Sequence, residues 1–540
     1  MMLHSAYGQK PEDLLPRAFN EGQKGPMQNL DRNNNQNHGT ETMHQAYNQL
    51  IERFNKLYRF QHLSAITQWD QSAMMPSGGN QARSEALAEL SSLMHELLTE
   101  EQVGHWIKEA RESADDSITQ SSIREMERSW RKASVMPADL VKAQSLANSK
   151  CEHAWRTQRP ENNWKDFSEN LKEVVKLAQE EASIRSAASG AQDYDAMLEL
   201  YEPGMTSSEL DVLFGNLKSW LPETLQTVVE QQKNDSLIAS QGHYSTENQK
   251  ALGLDVMKLL GFDFNHGRLD VSVHPFCGGV PEDVRLTTRY NEEDFVESLM
   301  GTIHETGHAR YNQNLPEDLR SLPLGSYRSM GVHEGQSLFF EMQLGRSPAF
   351  LQLIRPLIVK HLAGGQKNDR FSQTNLEKIY NRVKPGFIRV DADEISYPMH
   401  VILRYEIEKA LIEGDLLVDD LPQVWDEKMQ AYLGLSTGKN HSIGCMQDIH
   451  WPMGAFGYFP SYTLGAMYAA QQFSAVKRQL PDVESRIASG DLEPVFSWLT
   501  ENIWQQGCKL ETHELYTTAT GEPLNADHFK QHILNRYLND

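Results

Sequence analysis

Cysteine is scarce in this 540-residue chain: Cys151, Cys277, Cys445 and Cys508 stand far apart and form no C-x-x-C pair. With so few, a disulfide framework is excluded and a reducing, cytoplasmic setting fits. Long apolar runs are also missing, since no stretch approaches the roughly 18 consecutive apolar residues that a membrane span requires. The N-terminus, MMLHSAYGQKPEDLLPR, lacks the charged and then apolar run of a secretory signal. Positive charge is in deficit, with 51 Lys and Arg against 74 Asp and Glu and a formal net charge of −23. A polyanion or an anionic membrane surface is repelled by such a surface, so neither nucleic acid nor membrane is expected as a partner. No repeat of fixed period and no linker longer than a few residues is present. What is there, 39% hydrophobic and 23% charged residues, suits a soluble globular body with a sizeable core.

Residues 1 to 40, with the run NLDRNNNQNHGT, are rich in Asn, Gln, Gly and Pro and show no apolar period. They have little to bury against the entropy of ordering and are expected to form a flexible tail. From residue 41 to 540 the pattern predicts a single, mainly α-helical body. Met43, Tyr47, Leu50, Ile51, Phe54, Leu57 and Tyr58 recur at helical spacing, as do Leu87, Leu90, Leu93, Met94, Leu97 and Leu98. Each set predicts an amphipathic helix with one buried stripe. Phe167, Leu171, Val174, Val175 and Ala178 predict a third helix. Thr206 with Glu209 forms a capping box that opens a fourth through Leu210, Leu213, Phe214 and Leu217. NADHFKQHILNRYL predicts the last helix. The pattern breaks only at residues 268 to 290, where RLDVSVHPF alternates, GGVPED supplies turn chemistry and VRLTTRY alternates again, predicting one β-hairpin.

The stretch FVESLMGTIHETGHARYNQ contains His304-Glu305-Thr306-Gly307-His308. On a helix the two histidines lie one turn apart, so both imidazoles leave the same face and can bind one ion. Phe295, Val296, Leu299, Met300 and Ile303 supply the buried stripe, and the helix should end before Pro316. A zinc site of this type needs a third protein ligand and an open position for water. Downstream, MGVHEGQSLFFEMQLGR predicts a second helix with Glu334, Ser337, Leu338 and Glu341 on one face. An antiparallel neighbour can bring Glu334 to the ion, with Glu341 as the rival ligand or as a partner that orients an imidazole.

From about Tyr47 to its end the chain resembles the carboxypeptidase Taq family of zinc metallocarboxypeptidases. The resemblance is carried by WDQ and MPSGG between Trp69 and Gly79, HPF (274–276), DVRLT (283–287), HETGH (304–308), HEGQS (333–337), IRVDADE (388–394) and GCMQDIHW (444–451). It implies that His304, His308 and Glu334 are the metal ligands and Glu305 the general base. It further implies an almost wholly helical fold, gluzincin-like, with a long active-site cleft, a short hairpin or small sheet beside the metal, and a homodimer. Two features depart from the family pattern: the Asn-rich extension, and Gly335 where Ser is common.

The expected reaction is removal of C-terminal residues, one at a time, from peptides with a free C-terminus. One Zn²⁺ per chain, or Co²⁺, lowers the pKa of its water, and Glu305 takes the proton and later passes it to the leaving amine. The developing oxyanion needs further donors. IHWPMGAFGYFPSYTLG offers His450, Tyr458 and Tyr462, and resemblance to other helical gluzincin peptidases implies such a His and Tyr opposite the metal. Recognition of a terminal carboxylate calls for a guanidinium, and Arg285 is the first candidate and Arg389 the second, with His274 either a further cleft residue or a strand cap. The alternatives are a helical zinc oligopeptidase that cuts internally and a helical scaffold with a vestigial motif. Amidating a peptide's C-terminus stops only the carboxypeptidase.

Overall fold

The computed structural model describes the backbone of residues 37–538. The expected tail lies outside the described residues up to 36, while residues 37–40 form the first turn of a helix. Nine helices precede the only strands among the described residues: α1 (Asn37–Ala73), α2 (Asn80–Thr99), α3 (Glu101–Ser113), α4 (Ser117–Ser134), α5 (Ala138–Gln158), α6 (Trp164–Ser189), α7 (Asp193–Leu198), α8 (Ser207–Gln232) and α9 (Thr246–Leu259). Strands β1 (Gly267–Val271), β2 (Phe276–Val280) and β3 (Asp283–Thr288) follow, then α10 (Val296–Gln313) and α11 (Met330–Leu338). The remainder is α12 (Pro348–Leu362), α13 (Gln373–Tyr380), α14 (Tyr397–Glu413), α15 (Leu421–Leu433), α16 (Pro460–Gln479), α17 (Val483–Ser489), α18 (Glu493–Asn502), α19 (Thr512–Thr520) and α20 (Ala526–Tyr537). No described helix is long and apolar enough to cross a membrane.

The periodicities place the core. In α1, Ala46, Leu50, Phe54 and Leu57 are buried against Val103, Ile107 and Ala110 of α3 and Ile123 and Met126 of α4. The second expected stripe differs: no residue of α2 is fully buried, Met94, Leu97 and Leu98 only rest on that cluster, and Leu93 is 42% exposed. A leucine-rich face can therefore lie on the rim of a cluster as well as in it. The capping box at Thr206 and Glu209 is formed as expected, each side chain meeting the other's backbone N–H. A second, larger core surrounds α16, which is buried along most of its length up to Val476. A central helix buried all round carries small residues where its neighbours approach closely, and α16 runs Leu464-Gly465-Ala466 beside α11.

The strand region is a three-stranded sheet rather than one hairpin. Its order is β1-β3-β2, with β1 parallel to β3 and β2 antiparallel to it. RLDVSVHPF is thus divided: RLDV pairs with β3 as a parallel strand, and the hairpin is made by Phe276–Val280 and Asp283–Thr288. Ser272 causes the break, because its hydroxyl bonds Thr287 Oγ1 and the carbonyl of His274 and bends the chain between the two arms.

Candidate metal centre and active site

His304 and His308 leave the same face of α10, and α11 crosses that face to bring up Glu334. The crossing is close: a Cβ on Gly307 would lie 2.6 Å from the carbonyl oxygen of Gln336 and 2.7 Å from the Cα of Ser337. A second glycine, Gly465 of α16, makes room for Glu334 itself, since a Cβ there would stand 2.7 Å from its Cγ. Glycine at both positions lets three helices converge on one carboxylate. The Nε2 atoms of His304 and His308 stand 4.0 and 3.4 Å from the two Glu334 oxygens, and one donor atom from each residue falls within 4.8 Å of the others. Two imidazoles and a carboxylate in that spacing suit a tetrahedral divalent ion.

Glu341 settles into the other role open to it. The expected continuous helix from Met330 changes at Phe339 into a π-helical segment to Gly345, which re-aims Glu341. Its Oε2 is 2.9 Å from His304 Nδ1, the ring nitrogen opposite the one that faces Glu334, and its Oε1 accepts from Arg346 Nη2 at 2.5 Å. Against the cost of burial, Arg346 and then His304 hold Glu341 down at about 2. Burial alone would lower the pKa of His304, but the Glu341 hydrogen bond and the charges of Glu334 and Glu305 outweigh it and push it up to about 10. The point where these groups meet is one that favours a cation. His333, which sequence reasoning passed over, stacks on His308 with ring centres 4.4 Å apart and bonds Asn312 Oδ1 at 2.9 Å. Burial keeps it far below its ordinary pKa, so it packs as a neutral ring.

Glu305 is buried, and its Oε2 has no hydrogen-bond partner. Burial raises its pKa, opposed by His304 and His308. An orphaned buried carboxylate oxygen beside two imidazoles that could hold an ion is suited to accept a proton from water. The donor set and this free oxygen together fit a metal ion with its water.

His450, Tyr458 and Tyr462 come together in one aromatic cluster. His450 Nε2 is 3.1 Å from the Tyr462 hydroxyl, and the two tyrosine rings meet edge to face at 5.3 Å. Both tyrosines are raised by burial and feel the charge of Glu334, so they stay protonated near the candidate metal centre. Burial and the charge of Arg389 push His450 down to about 4, leaving it neutral. Arg389 belongs to the same cluster: its guanidinium lies 4.8 Å from the Tyr462 ring centre, donates to the Tyr397 hydroxyl and pairs with Asp448. Asp448 also holds the fully buried Arg404 at 2.6 Å, so two guanidinium groups share one carboxylate. Tyr397, Asp448 and Arg404 were not singled out from the sequence, and only Asp448, inside GCMQDIHW, carried a signal.

Arg285 lies elsewhere. Leu286 and Cys277 face α10, the thiol lying 3.9 Å from Asn312 Nδ2, so by strand alternation Arg285 projects from the opposite face of the sheet. There its fork closes on Asp283 and its plane stands 4.4 Å from the Trp69 ring centre of α1. His274 is exposed between β1 and β2, its carbonyl accepting from Ser272.

A model of the carboxypeptidase Taq (M32) metallopeptidase family matches residues 49–537. Thermostable carboxypeptidase 1 of Thermus thermophilus is 35% identical over 507 residues, covering 91% of this chain and 98% of its own. Carboxypeptidase 1 of Bacillus subtilis is 36% identical over 502 residues, covering 90% and 98%. Among solved structures, metallocarboxypeptidase 1 of Trypanosoma cruzi superposes with a TM-score of 0.90 at 44% identity, covering 92% of this chain and 99% of that one.

Proposed function

Because this chain belongs to the carboxypeptidase Taq (M32) metallopeptidase family and is a metallocarboxypeptidase, we propose that His304, His308 and Glu334 hold one zinc ion and that Glu305 is the general base. The observation that carries this reading is the convergence of both imidazole Nε2 atoms on the Glu334 carboxylate beside the unpaired Glu305 Oε2. When bound, the ion supplies Lewis-acid activation of water and of the scissile carbonyl. Glu305 takes the water's proton at its free oxygen and delivers it to the leaving amine, a transfer favoured by a carboxyl raised above its ordinary value. Tyr458 and Tyr462 donate to the developing oxyanion, and His450 holds the Tyr462 hydroxyl in place.

For the terminal carboxylate we assign Arg389 rather than Arg285. Arg389 lies in the cluster of His450 and Tyr462, and the excess of guanidinium over carboxylate around Asp448 leaves positive charge for an anion. Arg285 already has its fork on Asp283. The test uses a peptide with a free C-terminus and its C-terminal amide, followed by mass spectrometry with and without chelator. A ladder of single C-terminal losses, absent with chelator, is expected, and internal fragments would overturn the reading. Arg389→Lys should slow the free acid and leave the already slow amide nearly unchanged. If Arg285→Lys did this instead, the assignment would pass to Arg285. Four free thiols among the described residues support a reducing, cytoplasmic location, and the family resemblance supports a homodimer, which sedimentation would test.

A further inference from the structure

Outside the metal centre, a cavity of about 990 Å³ opens between α4, α6 and the α7 region. Six cations line it: Arg111, Arg124, Arg128, Arg131, Lys132 and Arg185. In a chain of net charge −23 this is a local reversal of sign. The wall's own acids are already engaged. Glu127 is shared by Arg111 and Arg131, Glu199 pairs with Arg128 and accepts from the Gly204 N–H, and Asp195 accepts from the Ser207 N–H. Behind the wall, Glu125 and Glu511 are each shared among Arg124, Arg128 and Arg328. Arg185 pairs with Glu181 at 2.7 Å. Six guanidinium groups are thus served by five carboxylates.

Lys132 stands apart. Among the described residues it has no carboxylate in ion-pair contact, and of its three donors one is used, on the Leu200 carbonyl at 2.9 Å. Burial and then the charge of Arg185 lower its pKa, with Glu181 and Glu199 acting the other way. Its nitrogen lies 6.0 Å from the centre of the Tyr201 ring, and that ring meets Tyr458 edge to face at 5.1 Å. A single aromatic ring therefore separates the cavity from the candidate oxyanion donor. Two ring contacts of that size correspond to about three residues of extended chain.

We propose that this cavity receives acidic side chains of the peptide substrate, lying several residues before the scissile bond, with Lys132 as the contact nearest the active site. This rests on the reading of Tyr458 as an active-site residue. The charge excess makes the enzyme favour acidic peptides through binding, not through the chemical step, because the contact is made equally in ground and transition states.

The test compares two peptides with the same C-terminal residues, one with Glu-Glu and one with Gln-Gln four and five residues from the end, on the metal-loaded enzyme. The acidic peptide should show a roughly five-fold higher kcat/KM, carried by KM, and about 0.5 M salt should erase the difference. Lys132→Gln should bring the ratio close to one while leaving the neutral peptide's rate unchanged. Arg131→Gln, at a side chain that is 65% exposed, should lower the ratio as well and serves if Lys132→Gln folds poorly. Tripolyphosphate should inhibit cleavage of the acidic peptide more than of the neutral one. Equal kcat/KM for the two peptides would overturn the proposal, as would a preference that survives both substitutions. Inhibition by tripolyphosphate with equal peptide rates would make the cavity a site for a free anion instead. Throughout, single C-terminal losses from the neutral peptide show that the carboxypeptidase reading stands even if this one fails.

Discussion

Glu341→Gln is the most direct probe of how the metal centre is held. Glu341 accepts from His304 Nδ1 at 2.9 Å with one oxygen and from Arg346 with the other. An ion on Nε2 requires a proton on Nδ1, so this hydrogen bond sets the tautomer and the ring angle. The amide keeps the length and can still offer an oxygen to Nδ1, but it loses the charge that makes the bond strong and turns an NH₂ toward the guanidinium of Arg346. Loss of such a partner weakens ion binding by about 10- to 100-fold, or about 1.4 to 2.8 kcal/mol. The assay is competition for the ion against a chromogenic chelator, read as Kd, together with kcat on fully loaded enzyme. We expect Kd to rise by that factor and kcat to change less, because His304 still meets the ion once it is bound. Arg346→Met removes the clamp but not the acceptor and should raise Kd by a smaller factor. A Kd for Glu341→Gln within two-fold of the parent would refute the reasoning and show that packing alone orients His304.

Glu305→Gln should retain the ion stoichiometrically while kcat falls by several orders of magnitude, since the amide cannot accept the proton; metal analysis alongside activity checks this. Glu334→Ala should lose the ion and Glu341→Ala keep at least part of it, and the reverse result in the same analysis would exchange their roles. Asp448→Asn should lower stability at pH 7 by about 3 to 5 kcal/mol, because it leaves the buried Arg404 and Arg389 without a counter-charge. Arg404 and Arg389 hold Asp448 well below the usual carboxylate range despite its burial. Its contribution is therefore present above the unfolded pKa of about 4 and lost as the pH falls further, so parent and variant should converge in acid when unfolding is followed by denaturant titration.

The spacing of His304 and His308 and the helical periods along most of the chain are local properties, and they were legible because a helix repeats every 3.6 residues whatever surrounds it. The capping box at Thr206 formed where it was expected for the same reason. The leucines of α2 had the right period, but period cannot say whether a neighbour will cover the stripe, and here it is only partly covered. The strand region exceeds a single hairpin for a related reason, since alternation identifies strands and not their partners. RLDV pairs with a strand that follows it in parallel, a long-range choice that no local pattern encodes.

By itself, then, the sequence determined the candidate ligand types, the one-turn separation of the two histidines, the helical class and the family, all of which reside in short windows of chain. The tertiary structure decided which carboxylate meets both imidazoles and which one orients His304, because Glu334 and Glu341 share a helix face in sequence and are separated only by the π-helical segment and by the glycine contacts at Gly307 and Gly465. It also set the two arginines in different surroundings. Arg285 and Arg389 are equal as guanidinium groups, but strand alternation turns Arg285 toward Trp69, and the loop before α14 sets Arg389 beside Tyr462 and Asp448. Direction in space depends on packing across hundreds of residues, and the chemistry of a side chain does not carry it.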